Sequence, residues 1–137
     1  MEARGVRNHN PLNIRKGDKW QGLDHNGTDT EFCTFINDAY GFRAAFRILK
    51  NYMRATPRHD TIRKIITRWA PPADNNDTEA YISTVSKLTG ISPDSKIQFS
   101  EVGRMIDIVK AMAKVETGHD YNERVILTGY QLETPTR

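Results

Sequence analysis

The chain has 137 residues, 37% hydrophobic and 27% charged, with a formal net charge of +3 and a pI near 9.1. That length supports one domain with its own core. No apolar run reaches the roughly 20 residues of a membrane span, the start Met1-Glu2-Ala3-Arg4 lacks the apolar block of a signal peptide, and the sole cysteine, Cys33, excludes an internal disulfide. Synthesis in the cytosol follows as the expectation, with no membrane insertion. Four histidines without paired ligand spacing predict no metal and no cofactor, and the positive charge draws the chain toward anionic polymers without choosing between nucleic acid and a bacterial envelope.

In chain order, Asn8-His9-Asn10-Pro11-Leu12-Asn13 is turn chemistry, and Gly17-Asp18, Gly22 and His25-Asn26-Gly27 punctuate short segments. Glu31-Phe32-Cys33-Thr34-Phe35 alternates polar and apolar as a half-buried strand does, so residues 10 to 36 are expected to form a small β-hairpin lobe. Asn37 or Asp38 caps a helix with Phe42, Ala45, Phe46, Leu49, Tyr52 and Met53 inward, running to about residue 54. Asp60 caps a shorter one with Ile62, Ile65, Ile66 and Trp69 on one face, broken by Pro71-Pro72. Asp77 or Thr78 opens the next, with Tyr81, Ile82, Val85 and Leu88 inward and Gly90 as its stop. A loop through Pro93-Asp94 leads to the helix that carries residue 116, and Asp120 caps a last short one holding Val125 and Ile126. The expected architecture is a single, mainly helical α+β domain over 1–137, with the β lobe at 10–36 and a helical lobe at 37–130.

One position breaks the pattern. Apolar residues 102, 105, 106, 109, 112 and 113 form a helical stripe whose next member is Glu116, with Gly118 two residues on as a C-cap. A carboxylate on the last turn of a core-facing helix is partly desolvated, which raises its pKa toward the range of a general acid. The competing reading is a helix-terminal Glu rotated out to solvent.

Arg4-Gly5-Val6-Arg7-Asn8-His9-Asn10-Pro11-Leu12-Asn13-Ile14-Arg15, followed by Trp20-Gln21-Gly22, resembles the opening of a family of phage and prophage virion proteins and peptidoglycan hydrolases. The likeness continues through Asp29 to Phe35, Gly41-Phe42-Arg43-Ala44, Trp69-Ala70-Pro71-Pro72 with Asn75-Asn76 and Thr78, and Tyr81 to Val85; Leu12 stands where that family has glycine. The block Thr78 to Val85 is similar to a helix of soluble lytic transglycosylases, and Asn10 to Gly22 to the β lobe of bacterial N-acetylglucosaminidases. Those enzymes carry their acid on a helix just before the β lobe. Only nine residues precede Asn10 here, while Ala113-Lys114-Val115-Glu116-Thr117-Gly118, at the other end, resembles that acid-bearing helix. The resemblance therefore implies a circularly permuted lysozyme-like domain, a rearrangement that neighbouring surface termini permit.

What the resemblance implies is a peptidoglycan-cleaving glycosidase, either lytic transglycosylase or muramidase, with Glu116 as general acid. Asp29 or Glu31 is the expected second carboxylate, ahead of Asp24 and Asp120. Asn10 and Asn13 could hold sugar hydroxyls or acetamido groups, or bond their own turns. Trp20 could stack on a sugar face or close a minor core. Tyr81 packs on an apolar stripe, and the likeness adds a hydroxyl near the acid. The expected partners are glycan strands of peptidoglycan and other virion proteins, with the chain a monomer, delivered to the cell wall by a virion or by lysis or secretion machinery. Two other classes stand beside this one: a non-enzymatic virion or envelope-binding protein that keeps the fold, and a DNA-binding module using Arg4, Arg7, Arg15, Lys16 and Lys19. No recognition helix or aromatic platform supports the latter, so no specific nucleic acid is expected.

Overall fold

A computed structural model describes residues 2–134, and they are mainly helical. Six α-helices occur in the order α1 Arg4–Arg7, α2 Asp38–Arg54, α3 Ile62–Trp69, α4 Thr78–Thr89, α5 Val102–Thr117 and α6 Glu123–Glu133, with a 3-10 turn at Pro72–Asp74. Their starts follow from side-chain caps that satisfy the first free N–H groups. Asn37 accepts from Tyr40 N, Thr61 from Lys64 N, Asp77 from Ala80 N and Asn122 from Arg124 N. Two of these differ from expectation. Thr61 rather than Asp60 caps α3, and Asn122 rather than Asp120 caps α6, which runs 11 residues. Gly90 and Gly118 end α4 and α5 in the left-handed conformation, as their sequence positions predict.

The predicted β-hairpin lobe needs correction: among the described residues there is no strand in residues 10–36, only two isolated antiparallel bridges, Arg15 with Phe32 and Leu23 with Phe35. The reason lies in the Asn and Asp side chains, which take the backbone groups a ladder would use. Asn10 Nδ2 donates to the carbonyls of Ile14 and Cys33 while its Oδ1 accepts from Ile14 N. Asp29 Oδ1 accepts from the N–H groups of both Glu31 and Phe32, and Asp24 Oδ1 from Asn26 N. The apolar half of the alternation still points inward: Leu12, Ile14, Cys33 and Phe35 are all buried in the common core.

That core runs from Leu12 through the helices to Tyr130 as one cluster. α2 and α6 approach most closely where Gly129 faces Phe42; a Cβ on Gly129 would lie 2.5 Å from Phe42 Cβ and 2.9 Å from Ala39 O. Phe46, Phe99 and Tyr130 fill the far end of this pair, Phe99 and Tyr130 stacked at 5.1 Å and Phe46 edge-on to both. Glu133, its side chain fully buried, is held there by Lys50 at 3.1 Å and Arg47 at 3.5 Å. α5 packs between α4 and α6. Its inward face is rotated from the predicted stripe: Met105, Ile108, Val109, Ala111, Met112 and Ala113 are buried while Val102 is exposed. Positions 105, 109, 112 and 116 nevertheless share a face, so α5 delivers Glu116 to the edge of the core.

Candidate active site

Glu116 sits on the last turn of α5, half-buried, at the base of an open cleft of about 620 Å³. Leu12, Asn13, Arg15 and Phe32 form one wall; Trp69, Ala70, Ala73, Asp74, Asn75 and Asn76 form the other. The second wall follows from local chemistry. Pro71 and Pro72 cannot continue α3, the chain tightens into the 3-10 turn, and Asn75 adopts the left-handed conformation (φ 62°) that asparagine tolerates. Asn76 Nδ2 donates to Pro71 O, and Thr78 Oγ1 to Ala70 O, which pins the turn beside α4.

Both carboxylate oxygens of Glu116 have partners. Asn13 Nδ2 donates to Oε1 at 3.1 Å, and the Tyr81 hydroxyl donates to Oε2 at 3.0 Å. Asn13 is itself in the left-handed region (φ 53°), and its Oδ1 is buried without a partner. Asparagine tolerates this conformation, as at Asn75, and here it aims the side-chain amide at the carboxylate. Gly5 makes room for it, since a Cβ at that position would come within 2.9 Å of Asn13 Oδ1 and 2.8 Å of Thr117 Cγ2. Burial raises the Glu116 pKa; contacts from Asn13, Tyr81 and Trp69 pull it down, but desolvation is the larger effect and the net shift is upward. Burial, followed by the neighbouring Glu116 charge, holds the Tyr81 hydroxyl well above its ordinary pKa, so it stays a neutral donor. A carboxyl whose pKa burial raises, in a cleft open to ligand, is thus combined with two fixed donors that also stabilise its ionised form.

Asn13, Tyr81 and Glu116 come together here, and the other residues singled out in the sequence lie elsewhere. Asn10 is fully buried, its amide consumed by the turn, so it is not on the cleft surface. Asp29 accepts from the Arg4 guanidinium, Asn8 Nδ2 and two backbone N–H groups, led by Arg4, and these hold its carboxyl far below the usual range. It is a permanent anion on the wall of a different depression. Glu31 is exposed and bridges Arg15 at 3.4 Å and Arg4 at 3.6 Å. Trp20 packs against the core with its indole Nε1 buried. Trp69, which its stripe marks as core, is half-buried and does both jobs: it packs edge-on against Tyr52 and lines the cleft. Its place just before Pro71-Pro72, where the helix must end, is the signal that sets it apart from the stripe. A larger concavity of about 730 Å³ lies at the opposite end of α5, around Met53, Lys96 and Phe99, and the 16-residue helix separates it from Glu116 by roughly 24 Å.

The fold and cleft define a mainly helical protein with a desolvated acid in an open groove, and no protein-family model matches the chain. It is 36% identical over 125 residues to Protein P5 of Pseudoalteromonas phage PM2, an alignment covering 88% of this chain and 77% of that protein. The chain belongs to the family of this phage protein.

Proposed function

We propose that the protein is a peptidoglycan-cleaving glycosidase of the lytic transglycosylase kind, with Glu116 as its acid and base. The observation that carries this reading is the Glu116 carboxyl, desolvated at the base of a groove yet flanked by the Asn13 amide and the Tyr81 hydroxyl. Protonated Glu116 donates to the glycosidic oxygen as the bond to the muramic C1 breaks. The resulting carboxylate, steadied by Asn13 and Tyr81, then removes the proton of the C6 hydroxyl, whose oxygen bonds to C1 and closes the 1,6-anhydro ring. One carboxylate serves both steps and ends reprotonated. Asp29 and Glu31 are occupied by Arg4 and Arg15, which favours this route over one needing a second carboxylate from the N-terminal segment.

A circularly permuted lysozyme-like arrangement belongs to the same reading, supported by the approach of Gly5 to Thr117 and of Asn13 to Glu116. Action at the cell wall, delivered by a virion or lysis machinery, accords with the phage relative. A muramidase version draws support from Asp74, an exposed carboxylate on the wall opposite Asn13, which could activate a water.

Purified sacculi incubated with the protein should release muropeptides, and mass spectrometry of the products should find 1,6-anhydromuramic ends. Reducing muramic ends that vanish in Asp74→Asn would select the muramidase version. Sacculi that bind the protein without releasing anything would favour a non-enzymatic envelope-binding role.

A further inference from the structure

We infer that Arg15 determines specificity in this cleft by binding a carboxylate carried on the substrate, so that peptide-bearing glycan strands are preferred over bare sugar chains. The inference rests on the reading of Glu116 as a glycan-cleaving acid.

Arg15 lines the same groove as Glu116, beside Phe32. Its guanidinium lies over the Phe32 ring, 4.8 Å from the centroid, and Arg4 lies 4.6 Å from the same centroid. The two cations differ in what else they touch. Arg4 is committed to Asp29, donating through both Nε and Nη2. Arg15 has a single long contact, Nη1 to Glu31 Oε2 at 3.4 Å, on a carboxylate it shares with Arg4, and its side chain remains 71% exposed. A guanidinium offers five N–H donors in a planar fork. Arg15 therefore presents most of its donors to the groove while the aromatic face beneath fixes its plane, which reduces the ordering cost of a bidentate contact.

The facing wall supplies no cation. Its polar groups are Asp74 and the amides of Asn75 and Asn76, so an anionic substituent is drawn to the Arg15 side. In peptidoglycan every second sugar carries a lactyl ether extended by a peptide with free carboxylates; a chain of acetylated glucosamine alone has none. A strand lying over Glu116 can thus place a stem-peptide carboxylate against Arg15 only if the stem is present.

The test compares wild type, Arg15→Gln and Arg15→Lys on intact sacculi and on sacculi stripped of stem peptides by an amidase, with the lactyl carboxylate that this hydrolysis leaves capped as its methylamide. Arg15→Gln should raise KM about tenfold on intact material, the scale of one charge-assisted contact, leave kcat within about twofold, and leave KM on stripped glycan unchanged; Arg15→Lys should recover part of the loss. Calorimetry with Glu116→Gln, and with Glu116→Gln combined with Arg15→Gln, adds a readout free of turnover: a soluble peptide-bearing disaccharide should bind the former more tightly, and the same disaccharide without its peptide and with its lactyl carboxylate capped as the methylamide should bind both alike. Equal KM changes on both substrates, or no change on either, overturn the role of Arg15. Wild type inactive on both substrates and binding neither sugar overturns the glycosidase reading and this inference with it, whereas an active wild type indifferent to the stem overturns this inference alone.

Discussion

Replacing Glu116 with Gln keeps the side-chain volume and removes the proton. Activity on peptidoglycan should fall by about 10²–10⁴-fold or more, the range of an obligatory general acid, while Glu31→Gln should cost far less. Stability should move the other way. The folded pKa of Glu116 is raised, chiefly by burial, so the stability linked to its proton is fully present below the unfolded value and lost as pH rises through the folded one. Melting curves of Glu116→Gln and wild type should therefore diverge in favour of the variant as pH climbs above the ordinary carboxyl range, with little difference in acid. A variant less stable than wild type at pH 7 would show that the carboxylate gains more from Asn13 and Tyr81 than burial costs it. Tyr81→Phe removes one stabiliser of the ionised form, so the Glu116 pKa should rise further and the alkaline limb of the rate profile should move to higher pH. Asp29 has the opposite sign: its pKa is depressed by Arg4 and the backbone donors. Asp29→Asn should lower the melting temperature at neutral pH, and the gap should close as pH falls through the depressed pKa. The sequence made Glu116 legible because a carboxylate interrupts an apolar stripe. It could not reveal that Asp29 is tied up in an ion pair, since Arg4 lies 25 positions away and ion pairs leave no periodic trace.

The helices were the most legible elements, because caps, apolar spacing and glycine stops all operate within a few residues. Asn37, Asp77, Gly90 and Gly118 act as their positions predict. In the N-terminal segment the alternation in Glu31 to Phe35 reports which side chains are buried, whereas a ladder also needs free backbone groups, and Asn10 and Asp29 take them. The 3-10 turn at Pro72–Asp74 was missed, and with it the second wall of the cleft; a double proline announces a break without saying where the chain goes next. Two close approaches test how tightly the elements are keyed. Gly129→Ala puts a methyl group 2.5 Å from Phe42 Cβ, and overpacking of this kind costs about 1–3 kcal/mol, which thermal unfolding should register without a change in KM. Gly5→Ala meets Asn10 O, Thr117 and Asn13 at once; it should displace Asn13 and depress activity more than stability. Wild-type activity in Gly5→Ala would mean that Asn13 need not be held where it is.

At the level of the whole molecule, a single core connects Leu12 near one end to Tyr130 near the other. Unfolding should accordingly be two-state, with tryptophan fluorescence from Trp20 and Trp69 and far-ultraviolet helix signal disappearing at the same midpoint. A fluorescence transition that precedes the helical one would mean the N-terminal segment opens separately. The closing of the cleft, by contrast, was visible only as an implication of family resemblance, because no local pattern connects Asn13 with a carboxylate 103 positions later.

That separation has a consequence for the order in which the molecule is made. A ribosome makes Asn13 first and the Trp69–Asn76 wall next, but Glu116 follows only 103 residues after Asn13. A message cut short before that codon yields a chain without Glu116 and without α6, so the single core is left open along α2. For the cell that translates it, the groove comes into being only in molecules whose chain has been carried through residue 116 and folded back onto Asn13.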